Sequence, residues 1–190
     1  MATLLLHFPG RRYHATPWGH HVNEGLIEWP PSPWRLLRAL LATGYAKRFW
    51  PSDGPPPPAR RLIEKLASTA PSYRLPDAVG THSRHYMPLA RFKNGREDTT
   101  LVFDTWAQID EGAMVVHWDV ELDAEERLEL ASLARELGYL GRSESWISAE
   151  LQDEKSQSGF NVLRCEDARQ IRPGWEQVAL LAPLSAAAYA

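Results

Sequence analysis

The residues with the most chemical potential in this chain lie in three short runs. "GRRYHATPWGHHVNEG" at 10–25 holds Arg11, Arg12, Tyr13, His14, His20 and His21. "THSRHYMP" at 81–88 holds His82, Arg84, His85 and Tyr86, and "LGYLGRSESW" at 137–146 holds Arg142, Ser143, Ser145 and Trp146. Histidines beside arginines and aromatic rings suit four kinds of site: metal, nucleophilic, RNA-binding, or metal-free RNA-cleaving.

The metal reading fits poorly. His20 and His21 are adjacent, so in extended backbone their side chains point in opposite directions. His82 and His85 have a spacing that suits one helical face, but Pro76 and Pro88 flank them and argue against a helix. The chain has one cysteine, Cys165, and no H-E-x-x-H pattern, so neither a cysteine cage nor a zincin site is expected. Nucleophilic hydrolysis lacks a G-x-S-x-G elbow and a Cys–His signature. Neither G-x-x-x-x-G-K nor G-x-G-x-x-G is present, so no phosphate-cradling loop is expected and no cofactor is implied. Gly138 and Gly141 follow a helix instead of opening one, which suits a helix end and a close backbone approach.

RNA chemistry fits better. Arginines bind phosphates, while tyrosine, histidine and tryptophan rings stack on unpaired bases. A histidine near neutrality can also deprotonate a 2′-hydroxyl, with a neighbouring tyrosine or arginine steadying the phosphate. His14 and His20, assisted by Tyr13, are the candidates for such cleavage. Spacing does not separate a histidine that holds RNA from one that cuts it.

Charge supports a polyanionic partner. The formal net charge of −3 conceals 14 Lys+Arg against 7 Asp+Glu in residues 1–100, and 7 against 17 in residues 101–190. Such asymmetry suits one face meeting a polyanion. If the halves interleave on folding, no patch results. The single cysteine fits a reducing compartment. "MATLLLHF" has no basic leader and is too short to span a membrane, so it reads as a first strand of a cytoplasmic protein.

The elements that must position these residues can be read in order. Residues 2–8 form a strand closed by Pro9-Gly10. Ser32 caps a helix with Pro33 at its first position, and Trp34, Leu37, Leu41 and Tyr45 form its buried stripe. Arg35 and Arg38 fall on a neighbouring face and join the candidate RNA contacts. The Pro-rich connector 51–58 precedes a second helix over 58–69. Residues 71–98 read as an irregular basic excursion that ends at the turn Asn94-Gly95.

Strands over 99–109 and 113–122 are then expected to pair through the turn 110–112. Asp123 and Glu126 make a capping box for a helix ending near Gly138. A strand over 144–151 follows, then a polar loop from 152, with further strand candidates at 160–165 and 176–183. The order strand, helix, strand pair, helix, strand predicts an α+β split βαβ unit of the ferredoxin-like type.

The runs "GRRYHATPWGHHVNEGLIEWPPSPWRLLRALLA", "THSRHYMP" and "LGYLGRSESW" together resemble one CRISPR-associated family, the fused fifth-and-sixth-Cas-family proteins of type I-G (also I-U) systems. The resemblance is strongest to their N-terminal half, which is similar to the fifth Cas family. It implies a ferredoxin-like, RRM-like fold and an RNA-binding subunit of a Cascade interference complex that holds the 5′ handle of the guide RNA. The excursion 71–98 would be its protruding thumb. Residues 1–182 would form the RNA-binding domain, and 183–190 the start of a connector to a second, processing domain.

On that resemblance Arg11, Arg12 and Arg142 would contact phosphates, and Tyr13, His20 and Tyr86 bases. His14, His21, Arg35, Arg38, Arg84, His85, Ser143, Ser145 and Trp146 would complete the surface. The partners would be guide RNA, backbone and large subunits, a separate processing endonuclease domain, and target DNA through the complex, with no membrane. Two alternatives stand beside this reading: a metal-independent endoribonuclease that matures repeat RNA, and a structural bridge between effector subunits without RNA affinity of its own.

Overall fold

The computed structural model describes residues 1–152, 159–165, 171 and 173–189. The fold is mixed α+β, built around two antiparallel sheets. The first sheet has four strands: β1 (Ala2–His7), β3 (Ser72–Arg74), β6 (Met114–Trp118) and β7 (Ser148–Leu151), in the order β3-β6-β1-β7. Central strand β1 pairs with β6, Leu4 opposite Val116, and with β7, Leu5 opposite Glu150. Its core face carries Ala2, Leu4 and Leu6 beside Met114, Val116, Trp118 and Tyr73, all buried.

The other face of this sheet is also closed at its centre. Val115 is buried, His117 receives or donates a bond with Thr3 Oγ1 (2.8 Å), and Phe160 stacks on the His117 ring at 5.3 Å. The run Met114–Trp118 is therefore buried without alternation, as a two-sided strand must be.

Three helices cover the core face. α1 (Pro33–Lys47) starts where expected: Ser32 Oγ accepts from the Arg35 N–H at 3.3 Å, and Pro33 occupies the first turn. Its buried residues are Leu36, Leu37, Leu40, Thr43 and Gly44, so the stripe is rotated from the expected one. Trp34 and Leu41 are half-buried and Tyr45 is exposed. Gly44 lies under the Trp50 indole, where a Cβ would sit 2.4 Å from the ring. α2 (Pro57–Ser68) buries Ala59, Leu62 and Leu66. α3 (Ala124–Glu136) has the expected capping box, with Asp123 and Glu126 each bonding the other's backbone N–H at 2.9 Å. Glu126 is fully buried and also accepts from Lys65 Nζ at 2.6 Å, which ties α3 to α2.

The second sheet departs most from expectation. Residues 71–98 are not irregular: they contain β3 and a long strand, β4 (Ala78–Lys93). Its partner is β5 (Arg96–Ile109), joined through the Asn94-Gly95 turn in left-handed backbone (φ 52° and 75°). Sixteen residues at the strand rise give an arm of about 50 Å. Residues 99–109 therefore pair with β4 and with β2 (Arg12–Tyr13), not with 113–122, which joins the other sheet. Both faces of the outer arm are exposed, so no apolar alternation marks it there; only at its root do Thr105, Ala107 and Ile109 alternate into the interior. The candidate strand at 144–151 shortens to β7. Residues 160–165 make only a bridge between Val162 and Tyr73, and 176–183 form no strand. A short helix, α4 (Ala186–Tyr189), follows.

Gly44→Ala is expected to destabilise the fold by about 1–3 kcal/mol, because the Trp50 ring must move. A lowered urea midpoint with an unchanged slope checks this; an unchanged midpoint contradicts the packing described.

Candidate nucleic-acid interface

Pairing register decides which arm residues share a face. Gly80, His82, Arg84 and Tyr86 stand opposite Ala107, Thr105, Phe103 and Leu101. Thr81, Ser83, His85 and Met87 stand opposite Trp106, Asp104, Val102 and Thr100 on the second face. At the base of the first face Gly25 lies against Phe103 in left-handed backbone (φ 73°), where a Cβ would come within 2.6 Å of the ring. Further along, Phe103 stacks on His82 at 4.8 Å, and the Arg84 guanidinium lies 5.3 Å from its centroid. Tyr86, 73% exposed, projects beyond them.

On the second face the Arg12 guanidinium lies 4.0 Å over the Trp106 ring, a cation–π contact. Asp104 sits between two cationic partners, 3.5 Å from Arg142 Nη1 and 3.8 Å from His85 Nε2. These are long, half-exposed pairs, the class that contributes about 0–1 kcal/mol.

Arg142 reaches the arm because the turn 140–145 is clamped to the segment directly after β2. Gly141 (φ 88°) approaches the His14 carbonyl so closely that a Cβ would lie 2.5 Å from its oxygen. The Arg142 N–H donates to that carbonyl at 2.9 Å, and the His14 N–H donates to Ser145 Oγ at 2.8 Å. His14 Nδ1 bonds Glu144 Oε1 at 2.7 Å. Burial, followed by the Arg142 charge, holds the His14 imidazole below the ordinary histidine value, against the opposing pull of Glu144. Desolvation raises the Glu144 carboxyl, but its own backbone N–H, then His14 and Arg142, more than offset this and hold it below the usual carboxylate value.

The expected site residues therefore divide. Arg12, Arg84, His85, Tyr86 and Arg142 come together along the arm and its root. Ser143 is exposed on the clamped turn, and Trp146 is exposed beyond it. Tyr13 and Ser145 are fully buried and offer no surface to a base or phosphate. Tyr13 donates to Glu28 at 3.3 Å, and its pKa is raised by burial and by that carboxylate. Arg35 is also committed inward: Nε and Nη2 bond the Glu28 carboxylate at 2.7 and 3.1 Å, and Nη2 bonds Thr16 O at 2.9 Å.

Arg11 pairs with Glu111 at 2.7 Å beside the base of the arm. His20 and His21 immediately precede a 3₁₀ turn (Val22–Glu24) beside β5, where Glu24 bonds the His20 ring at 2.7 Å and the His21 N–H at 3.0 Å. Arg38 is exposed on α1, 5.7 Å over the Trp34 ring. Sequence reasoning missed Phe103, Asp104 and Trp106, because their strand was expected inside a sheet. It also gave Glu144 no role toward His14.

Among the described residues, no group of three or more His, Cys, Asp or Glu is placed to hold a metal ion, and no helix is long and apolar enough to cross a membrane. No protein-family model matches the sequence, and no curated protein matches it.

Glu144→Gln removes both the anion and the charge-assisted bond that oppose burial, so the His14 pKa is expected to fall further below 6.5. A folded-state pKa below the unfolded one means that the unfolded chain binds more protons. His14 therefore withdraws stability as pH falls below about 6.5, with the loss complete below its folded value. Imidazole NMR titration of parent and variant measures the shift; a rise in the variant contradicts the assignment.

Proposed function

We propose that this chain is an RNA-binding subunit of a type I-G CRISPR interference complex, in which it holds the 5′ handle of the guide RNA. The observation that carries the reading is the arm itself: a long exposed hairpin on which arginines lie over aromatic rings, Arg12 over Trp106 and Arg84 over Phe103. Guanidinium groups beside aromatic rings on an exposed hairpin suit phosphate and unpaired-base contacts. The arm takes the place of the thumb, over 78–109.

A ferredoxin-like, RRM-like assignment is supported by the strand order β3-β6-β1-β7, with helices between β1 and β3 and between β6 and β7. RRM domains stack bases on an open sheet face. Here Val115 and His117 are buried on that face, so the RNA surface moves to the arm and the clamped turn. In this reading the acidic second half faces solvent, the backbone subunits or the large subunit. The protein works in the cytoplasm beside a processing endonuclease domain, meeting target DNA only through the complex.

A metal-independent repeat endoribonuclease is the second reading. It is favoured by the Glu144-oriented His14 beside Arg142 and by His85 beside Asp104, a base, cation and acid arrangement. The 6% exposure of the His14 side chain weighs against it.

One gel assay separates the readings. The purified chain is incubated with labelled repeat RNA in EDTA and run native and denatured. Binding predicts a shifted, intact RNA; cleavage at one position would establish the nuclease; no shift would remove the RNA reading. Affinity should fall steeply between low and moderate salt. Arg12→Ala and Arg142→Ala should each weaken binding about five- to tenfold and lower the salt slope by about one, with the fold intact. Unchanged binding in both variants would detach RNA from this face.

A further inference from the structure

A cleft with a volume of about 380 Å³ lies between α1 and the segment 137–141, with Gly141 in its lining. Its floor is small: Ala39, Ala42 and Ala46 follow one another at helical spacing. Trp18, 68% exposed, and Tyr139, about half exposed, line it from the loops on either side of the His14 clamp in sequence. Two cations border it. Arg38 lies over the Trp34 ring, and among the described residues no ion pair forms at it. Lys47 donates to the Glu136 carbonyl at the C-terminal end of α3, and among the described residues no carboxylate pairs with it. The third cation of the lining, Arg35, is neutralised by Glu28.

Exposed rings, a floor shallow enough for a flat group to lie against backbone, and unneutralised positive charge together describe the recognition of an aromatic anion. We propose that this cleft takes one unstacked base of the bound single-stranded RNA, with Trp18 and Tyr139 as its stacking surfaces and Arg38 and Lys47 beside its phosphate. The proposal rests on the RNA-binding reading and adds to it a second surface away from the arm. Gly141 belongs to both: its backbone closes the cleft on one side, and the next residue, Arg142, turns to Asp104 on the arm. A strand crossing this turn would lay phosphates toward Arg142 and place a base in the cleft. An apolar peptide would use the rings but leave Arg38 and Lys47 without a partner, which is why a nucleotide is favoured.

The test places a single abasic site at each position of repeat RNA in turn and measures affinity for the parent, Trp18→Ala, Tyr139→Ala and Arg84→Ala. Stacking on an aromatic side chain is worth about 1–3 kcal/mol per base, so one position should lose roughly tenfold or more in the parent. That loss should shrink to less than about twofold in Trp18→Ala or Tyr139→Ala, because the missing base and the missing ring report one contact. It should persist in Arg84→Ala. Both cleft side chains are exposed, and circular dichroism checks that each variant folds. If every position is equivalent, or the loss survives both cleft variants, the cleft is not the base site, while RNA binding by the arm stands. If the parent binds no RNA at all, the cleft proposal and the RNA reading fall together.

Discussion

The structure depends on the clamp between the segment directly after β2 and the turn 140–145. One carbonyl, His14 O, accepts from the Arg142 N–H, and Gly141 must lack a side chain for the approach to occur. Ser145 Oγ closes the same clamp from inside, accepting the His14 N–H, and Glu144 holds the ring. Because β2 also pairs with β5, this contact fixes the arm to the end of α3 and the start of β7. A hairpin of two strands is marginal in water. This one gains its rigidity at the root, from β2, from the clamp and from the loop that presents Gly25 to Phe103.

A second hub orients α1 against β2. The buried Glu28 carboxylate accepts from Tyr13 Oη, the Ser32 N–H and the Arg35 fork. A buried carboxylate is tolerated when each lone pair has a donor, and breaking such a set is costly. Residues 13 and 14, adjacent in sequence, thus bind different parts of the fold: Tyr13 reaches inward to α1 and His14 across to the 140s. This is why a stretch dense in reactive side chains is largely structural, while its neighbour Arg12 stays on the surface.

Local signals made several elements legible in the sequence. Ser32-Pro33 placed α1, Asp123 and Glu126 placed α3, and Asn94-Gly95 placed the arm's turn. The apolar run at 2–8 placed β1. The arm's strands were not legible as a pair, because hydrophobic alternation records burial and both arm faces are exposed. Only the root of β5 enters the core, through Ala107 and Ile109, and its outer part is held by pairing with 78–93 alone. In the candidate site, the arginines and Tyr86 were visible as residue types in a basic, aromatic context. Which of them reach the surface was not: a tyrosine that caps a buried carboxylate and one that projects from a hairpin have the same letter. Gly141 was legible as a tight approach, but its partner, 127 residues earlier, was fixed only by the fold.

The central claim is that RNA lies on the arm and the clamped turn, and not on the open-sheet face used by RRM domains. The most direct measurement is photo-crosslinking of 4-thiouridine-substituted repeat RNA to the intact chain, followed by peptide mapping. The account predicts adducts within 82–86, at Trp106 and within 142–146. Adducts concentrated on the outer face of the four-stranded sheet, around Leu5 and Glu150, or no adduct at all, would contradict it.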